Sequence, residues 1–273
     1  MRYVAFIDTL GFTKRITQCT HQEAVEIIRM FNQTIFDLWK EFNLDNDFSI
    51  RGRTFSDSVI IHTKGDSIEE LDRILKFIIK LYRTSITICD LPLRGGLAYG
   101  QFDDLKAVEF DNLEKGLVVG TAFIEAYSLE SAHQIKGSKL LFGQDINLKI
   151  ERQLTGYQTH KVKNMDNGHT IYELKWGDLS FLTDNNYYAL NKLVDLATKS
   201  KWLEHYYGTL ETFLINESSD NKNEIYMRII ERINAQYKYN DLDDFIENYL
   251  KSENANYSKK SFLALIRERF NRI

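Results

Sequence analysis

Between Tyr3 and Gly100 the spacing of apolar residues alternates between two periods, and the order of that alternation leaves few folds open. Tyr3 to Ile7 is a short apolar run that enters a turn at Asp8-Thr9-Leu10-Gly11, as a buried strand does. Val25, Ile28, Phe31, Ile35, Leu38 and Phe42 recur at steps of three and four, so a helix is predicted from about Thr13 or Thr20 to Phe42. Ser49–Phe55 and Val59–His62 read as strands joined at Ser56-Asp57-Ser58. Leu71, Ile74, Leu75, Ile78, Ile79 and Tyr82 predict a second helix over Ile68–Thr87, and Leu93–Gly100 is a glycine-rich strand. Strand, helix, strand, strand, helix, strand is the ferredoxin-like βαββαβ order. It predicts an α+β domain with an antiparallel-rich sheet and helices on one face. Leu117–Val119 is a strand or a loop, Gly120–Ala132 a helix, and Lys139–Phe142 and Thr170–Leu174 further strands.

Near residue 176 the texture changes. The remainder is rich in Asn, Lys and Tyr, and apolar residues at helical spacing run from Tyr188 to Ala197 and from Ile225 to Ile233. The expected layout is a domain over 1–176 and an α-helical extension over 177–273, with a polar break at Asn216–Asn223.

Composition narrows the class. A net charge of −4 argues against a nucleic-acid partner, which needs a basic surface. No apolar run approaches the roughly 20 residues that span a bilayer. The apolar start ends at Asp8 rather than at a small-residue cleavage site, so a cytoplasmic protein is expected. Cys19 and Cys89 are too few for a disulfide framework or a cysteine-rich zinc site. Glu109, Asp111 and Glu114 read as a solvated acidic loop.

Three segments carry candidate chemistry. In Phe6-Ile7-Asp8-Thr9-Leu10-Gly11-Phe12 a carboxylate ends a buried strand and a glycine turn leads into a helix. Backbone N–H groups there suit a phosphate, and the acid suits its divalent cation, although a turn aspartate alone reads equally well. In Thr54-Phe55-Ser56-Asp57-Ser58 a second acid sits at the apex of a tight strand pair. The βαββ order brings that apex beside the end of the first strand. Two converging carboxylates repel unless a cation lies between them, and this is the arrangement of a two-metal phosphoryl-transfer site. In Leu93-Arg94-Gly95-Gly96 the glycines point to a close approach by a ligand or another backbone, and Arg94 can pair with a phosphate or a base edge.

These segments, with Gly120-Thr121-Ala122 and Ala126-Tyr127-Ser128-Leu129-Glu130, resemble the class III nucleotide cyclase catalytic domain over about Arg2 to Leu174. Phe55-Ser56-Asp57-Ser58 and Arg94-Gly95-Gly96 bring the likeness nearest to the bacterial pyrimidine cyclases of the Pycsar anti-phage systems. The resemblance implies a homodimer with interfacial active sites and two Mn²⁺ or Mg²⁺ ions. The ions would be held by Asp8, Asp57 and the Thr9 carbonyl. It also implies a triphosphate held by the N–H groups of Gly11 and Phe12 and by a late lysine, Lys163 or Lys161 of His160-Lys161-Val162-Lys163.

The departures from the purine members are specific. Their base-reading lysine, six residues before Asp57, is Arg51; their second base reader, three before Gly120, is Leu117. Their transition-state asparagine and arginine fall on Ile124 and Ser128. Arg51 and Arg53 share parity with Asp57, so either can reach a nucleotide beside it. The expected activity is conversion of a pyrimidine nucleoside triphosphate, UTP before CTP, to its 3′,5′-cyclic monophosphate and pyrophosphate. The product would signal to a separate cyclic-nucleotide effector in anti-phage defence. The alternatives are a purine cyclase with unusual base contacts and an inactive nucleotide-binding sensor.

Overall fold

The computed structural model describes residues 1–42, 50–106, 116–132, 135–164, 169–200 and 203–237. The acidic loop of Glu109, Asp111 and Glu114, together with Ser49 and everything after Tyr237, lies outside them. The chain divides into Met1–Trp176 and Gly177–Ile273.

The first unit opens with β1 (Arg2–Thr9), α1 (Phe12–Thr17), α2 (His21–Phe42), β2 (Ile50–Phe55), β3 (Ser58–Thr63), α3 (Ile68–Cys89) and β4 (Leu93–Gly100). The helix expected from Thr13 or Thr20 is thus two helices. Thr20 ends the break with a capping box: its hydroxyl accepts from the Glu23 N–H, and the Glu23 carboxylate accepts from the Thr20 N–H at 2.8 Å. Ser67 and Glu70 make the same reciprocal pair at the start of α3. The unit continues with β5 (Asp103–Lys106), β6 (Gly116–Val119), α4 (Thr121–Glu130), β7 (Leu140–Phe142), α5 (Gln144–Gln153), β8 (Thr159–Asn164) and β9 (Thr170–Leu174).

Seven strands form one sheet in the order β2-β3-β1-β4-β7-β9-β8, and β5 pairs with β6 as a separate ribbon. Its first four strands are the antiparallel ferredoxin-like set expected from the sequence. β7 then joins β4 in parallel and carries the antiparallel pair β9 and β8 outward.

The expectation of helices on one face is corrected: helices cover both. The side of Gly95 faces Tyr82 of α3, whose hydroxyl would lie 3.0 Å from an added Cβ. The side of Gly96 faces α4, where Val4, Ile60, Ala98, Phe102, Ala122 and Ala126 form a buried cluster. The close approach that the glycines of β4 allow is therefore made by protein. A Cβ on Gly96 would sit 2.1 Å from the Ala126 carbonyl oxygen, and one on Gly95 2.7 Å from the Phe6 carbonyl oxygen. On the α3 face Trp176 is fully buried, its ring 5.2 Å from Tyr82 and its Nε1–H donating to the Ser138 carbonyl at 2.8 Å.

The second unit holds α6 (Leu179–Ser200), α7 (Leu203–Leu214) and α8 (Ser219–Tyr237). The polar break over Asn216–Asn223 is shorter than expected, because α8 already begins at Ser219. α6 is interrupted at Asp184–Tyr187, where Asn185, Asn186 and Tyr187 take left-handed backbone angles. Leu190, Val194, Leu210, Phe213, Leu214 and Ile225 are buried in this unit, and Arg232 of α8 holds Asp195 of α6 through two hydrogen bonds of 2.9 and 2.8 Å. Among the described residues no helix is long and apolar enough to cross a membrane.

A Gly96→Ala change must push α4 off the sheet. It is expected to lower stability by about 1–3 kcal/mol, the usual cost of overpacking, whereas Gly156→Ala, which meets nothing within 4 Å, is expected to be nearly neutral. Urea melts of the two variants check this.

Candidate active site

β1 lies between β3 and β4, and the two registers determine what surrounds its end. Asp8 stands opposite Ser58 on one side and Arg94 on the other. Ser58 Oγ donates to Asp8 Oδ1 at 2.6 Å. Phe55 pairs with Ser58, so the β2–β3 connection is the two residues Ser56 and Asp57. That turn is tied to β1: the Thr9 N–H donates to the Asp57 carbonyl at 3.2 Å, and Thr9 Oγ1 to Asp57 Oδ2 at 3.3 Å. The two carboxylates that the sequence placed together are thus joined through adjacent residues, Asp8 through Ser58 and Asp57 through Thr9.

The electrostatics of the pair are unfavourable by themselves. Burial raises the Asp8 carboxyl from 3.8 to about 6, with Asp57 and Glu130 pushing the same way, while the Ser58 hydrogen bond and Arg94 oppose the rise. Arg94 does not cancel the acid, because its Nε–H donates to the nearly buried Glu130 at the end of α4, and Ser131 Oγ holds the other Glu130 oxygen at 3.0 Å. The neighbourhood of Asp8 thus contains Asp57, Glu130 and one guanidinium, an excess of negative charge that a divalent cation would neutralise. The residues fit such an ion: two carboxylates one strand apart, with the Thr9 backbone beside them. Among the described residues no group of three or more His, Cys, Asp or Glu side chains gathers to hold a metal, so at this site the ion would rely on two carboxylates and the backbone.

The remaining candidates are dispersed. Gly11 has φ 74°, a left-handed value that favours glycine, and it starts the six-residue α1 with Phe12 as its first residue. Arg51 is exposed on β2, on the sheet face that carries Arg53. Arg53 is ion-paired with Asp104 of β5, and Asp104 also lies 3.5 Å from Nε2 of the buried His62. Burial holds His62 below its ordinary range, although the Thr63 carbonyl and Asp104 both favour its protonated form. Leu117 and Ile124 are exposed, and the Ser128 hydroxyl is bonded back to the Ile124 carbonyl at 2.8 Å.

Lys163 lies on β8, at the sheet edge and four strands from β1. A bulge between Lys161 and Lys163 sets Lys163 opposite Ile171, whereas Lys161 stands opposite Tyr172. Two participants escaped the sequence reading, Ser58 as the donor to Asp8 and Glu130 as the partner of Arg94. The first follows once the turn is fixed at two residues. The second needs α4 to be placed over β4, which no local pattern announces.

Asp8 is more easily protonated in the fold than in the unfolded chain, so it favours folding below its ordinary range and loses that contribution as pH rises toward about 6. Without divalent cation, the stability of wild type relative to Asp8→Asn is expected to fall by about 2–3 kcal/mol between roughly pH 4 and 6 and to stay flat above. Urea melts of both proteins across that range measure it, and Mn²⁺ added above pH 7 is expected to stabilise wild type alone.

No family model matches the sequence, and no curated protein does. Among solved structures, the chain is similar to the adenylyl cyclase CyaB from P. aeruginosa, at 17% identity and TM-score 0.48 over 63% of this chain and 92% of that one. It is similar to the guanylyl cyclase Cya2 at 11% identity and TM-score 0.49, over 64% and 91%. It is also similar to the guanylate cyclase domain of RhGC from Catenaria anguillulae in complex with GTP, at 16% identity and TM-score 0.46, over 63% and 94%.

Proposed function

We propose that the first unit is a nucleotide cyclase that acts on a pyrimidine nucleoside triphosphate, UTP in preference to CTP. The observation that carries this reading is the Asp8–Asp57 pair, held at adjacent strand ends by Ser58 and Thr9 and left with excess negative charge. Asp8, Asp57 and the Thr9 carbonyl would hold Mn²⁺ or Mg²⁺, which when bound supplies charge neutralisation for the triphosphate and acidifies the ribose 3′-hydroxyl. The 3′-oxygen attacks the α-phosphorus, the bond to the pyrophosphate oxygen breaks, and the hydroxyl proton leaves to solvent. The chain itself positions the groups. Ser58 holds the Asp8 carboxylate and Thr9 that of Asp57, and Glu130 fixes the Arg94 guanidinium across the strand from Asp8.

Arg51 supports the choice of base. Its guanidinium only donates, which suits the two carbonyl oxygens of uracil; cytosine places an amino donor where uracil has O4. Leu117, at the other base-reading position, offers no polar group. The product would act as a signal to a separate effector.

A second copy of the chain is the proposed partner. Leu105, Leu117, Val119, Ile124 and Tyr127, on the β5–β6 ribbon and the outer side of α4, stay 48–64% exposed, a strip that a twofold contact would cover.

Incubation of the protein with each of the four nucleoside triphosphates and Mn²⁺ tests the activity. Cyclic UMP is the expected main product. A purine cyclic nucleotide would transfer the reading to a purine cyclase, and nucleotide binding without any cyclic product would make the domain a sensor. Asp57→Ala is expected to abolish turnover with the fold intact by circular dichroism. Arg51→Ala is expected to reduce kcat/KM for UTP by roughly 5–100-fold, the loss of one hydrogen bond to a polar base, and purine turnover less. Ile124→Asp is expected to shift the sedimenting species from dimer to monomer and to lower activity with it.

A further inference from the structure

No ladder joins the β5–β6 ribbon to the seven-stranded sheet, and its two faces differ. Leu105, Leu117 and Val119 point outward and stay 48–56% exposed, while Asp104 and its cross-strand partner Val118 point inward. Val118 packs on the buried cluster that includes Phe102 and Ala122. Asp104 reaches the sheet itself. Its Oδ1 accepts from Arg53 of β2, and its Oδ2 lies 3.5 Å from Nε2 of His62 on β3.

His62 is the uneasy member of this contact. It is 2% exposed, and its ring centre lies 4.7 Å from that of Phe102, which leads into β5. Nδ1 lies 3.1 Å from the Thr63 carbonyl, which can only accept, so the neutral ring carries its proton there. Nε2 is then a bare acceptor. It is buried without a hydrogen-bond partner, and it faces a carboxylate that has no proton to give. A proton on Nε2 would supply a donor to Asp104, but the surrounding charge opposes it. Arg53 already occupies the carboxylate, Arg51 stands opposite His62 on β2, and Arg2 of β1 also disfavours a positive ring. Among the described residues, one carboxylate therefore stands against three guanidinium groups around this imidazole. Water would hold the charged ring better, and the ribbon keeps water out: Phe102 lies against the ring and Asp104 covers Nε2.

We infer that His62 is a proton-operated latch on the ribbon: the neutral ring lies closed beneath Phe102 and Asp104, and a second proton on the ring releases the ribbon from the sheet. The sign agrees with the burial of the ring, which holds His62 below its ordinary range in spite of Thr63 and Asp104. A closed form that resists the proton is fully favoured above the ordinary histidine range, near about 6.5, and loses that advantage as pH falls through it. Burial would raise Asp104, but Arg53 and His62 hold it below its ordinary range, so it stays ionised meanwhile. The outward residues of the ribbon belong to the strip proposed for the twofold contact, so acid also favours separated copies. That consequence rests on the proposed dimer; the latch does not.

Hydrogen exchange on the full chain tests the latch, with His62→Phe as the variant that keeps a ring and has no proton to gain. Rates are referred to those of unprotected amides at each pH. Between pH 7.5 and 5.5 the protection of the 103–106 and 116–119 amides in wild type is expected to fall about tenfold, the gain in protonation of a histidine of ordinary affinity once it is uncovered. In His62→Phe it is expected to hold constant. Arg2, Arg51, Arg53, Asp104 and the titrating Asp8 are the same in both proteins. An equal acid response of the two proteins, or a wild-type ribbon that gains protection in acid, would overturn the latch. If His62→Phe fails to fold, wild type decides alone: its ribbon amides must lose protection relative to those of β1 in the same sample, and a parallel response of the two would overturn the latch. In sedimentation the wild-type dimer is expected to weaken over the same pH interval and the His62→Phe dimer to persist; equal behaviour would overturn the consequence for assembly. Absence of any cyclic product would count against the cyclase reading alone, since exchange needs no nucleotide.

Discussion

β1 has a hydrogen-bonded neighbour on each side, and its two registers are the constraint on which the first unit depends. The β1–β3 register sets Asp8 against Ser58 and draws the Asp57 turn onto Thr9; the β1–β4 register sets Asp8 against Arg94. Because side chains alternate along a strand, a slip of one residue in either pairing would turn Asp8 away from α4 and bury it among the residues that face α3. Tyr3, Val4, Ala5 and Ile7 are all buried, so such a slip exchanges one packed face for another and is strongly resisted. The position of the acid is thus fixed by the core beneath it more than by contacts of its own.

The strand–helix–strand–strand–helix–strand order up to Gly100 was legible in the sequence because it follows from local periods, and that order brings the turn of Asp57 beside the end of β1; β5 and α5 were not read at all. Tyr3–Ile7 reads as a strand on its own residues, and a two-residue turn leaves Asp57 little freedom. The side of the sheet on which each helix lies was not legible in the same way. Gly95 and Gly96 announce close approach, but a glycine does not say what approaches, and it was the Ala126 backbone rather than a ligand. α4 gave little warning because its apolar residues do not keep to one side: Ala122, Ala126 and Leu129 are buried while Ile124 and Tyr127 are exposed. β8 was also hard to read, since Thr159, His160, Lys161 and Lys163 look like solvated surface until Glu173 is found beneath them.

Charge is distributed unevenly over the sheet. Acids gather at the end of β1, where Asp8, Asp57 and Glu130 outnumber Arg94, and bases gather at β8, where His160 joins Lys161 and Lys163 above a neutral Lys139–Glu173 pair. Placing the poles on separate strands prevents a lysine from closing onto the aspartates of its own chain and quenching them. Arg53 shows the alternative, with Asp104 already occupying its guanidinium.

α4 serves at both ends. Its middle carries Ile124 and Tyr127 outward, and its last residue is Glu130, which grips Arg94 beside Asp8. A ten-residue helix is only about 15 Å long and does not bend over that span. The exposed residues of α4 and the carboxylate that holds Arg94 therefore belong to one short rod, seated at Ala126 on the bare backbone of Gly96, so the bulk of a single absent side chain governs how near Glu130 stands to Arg94.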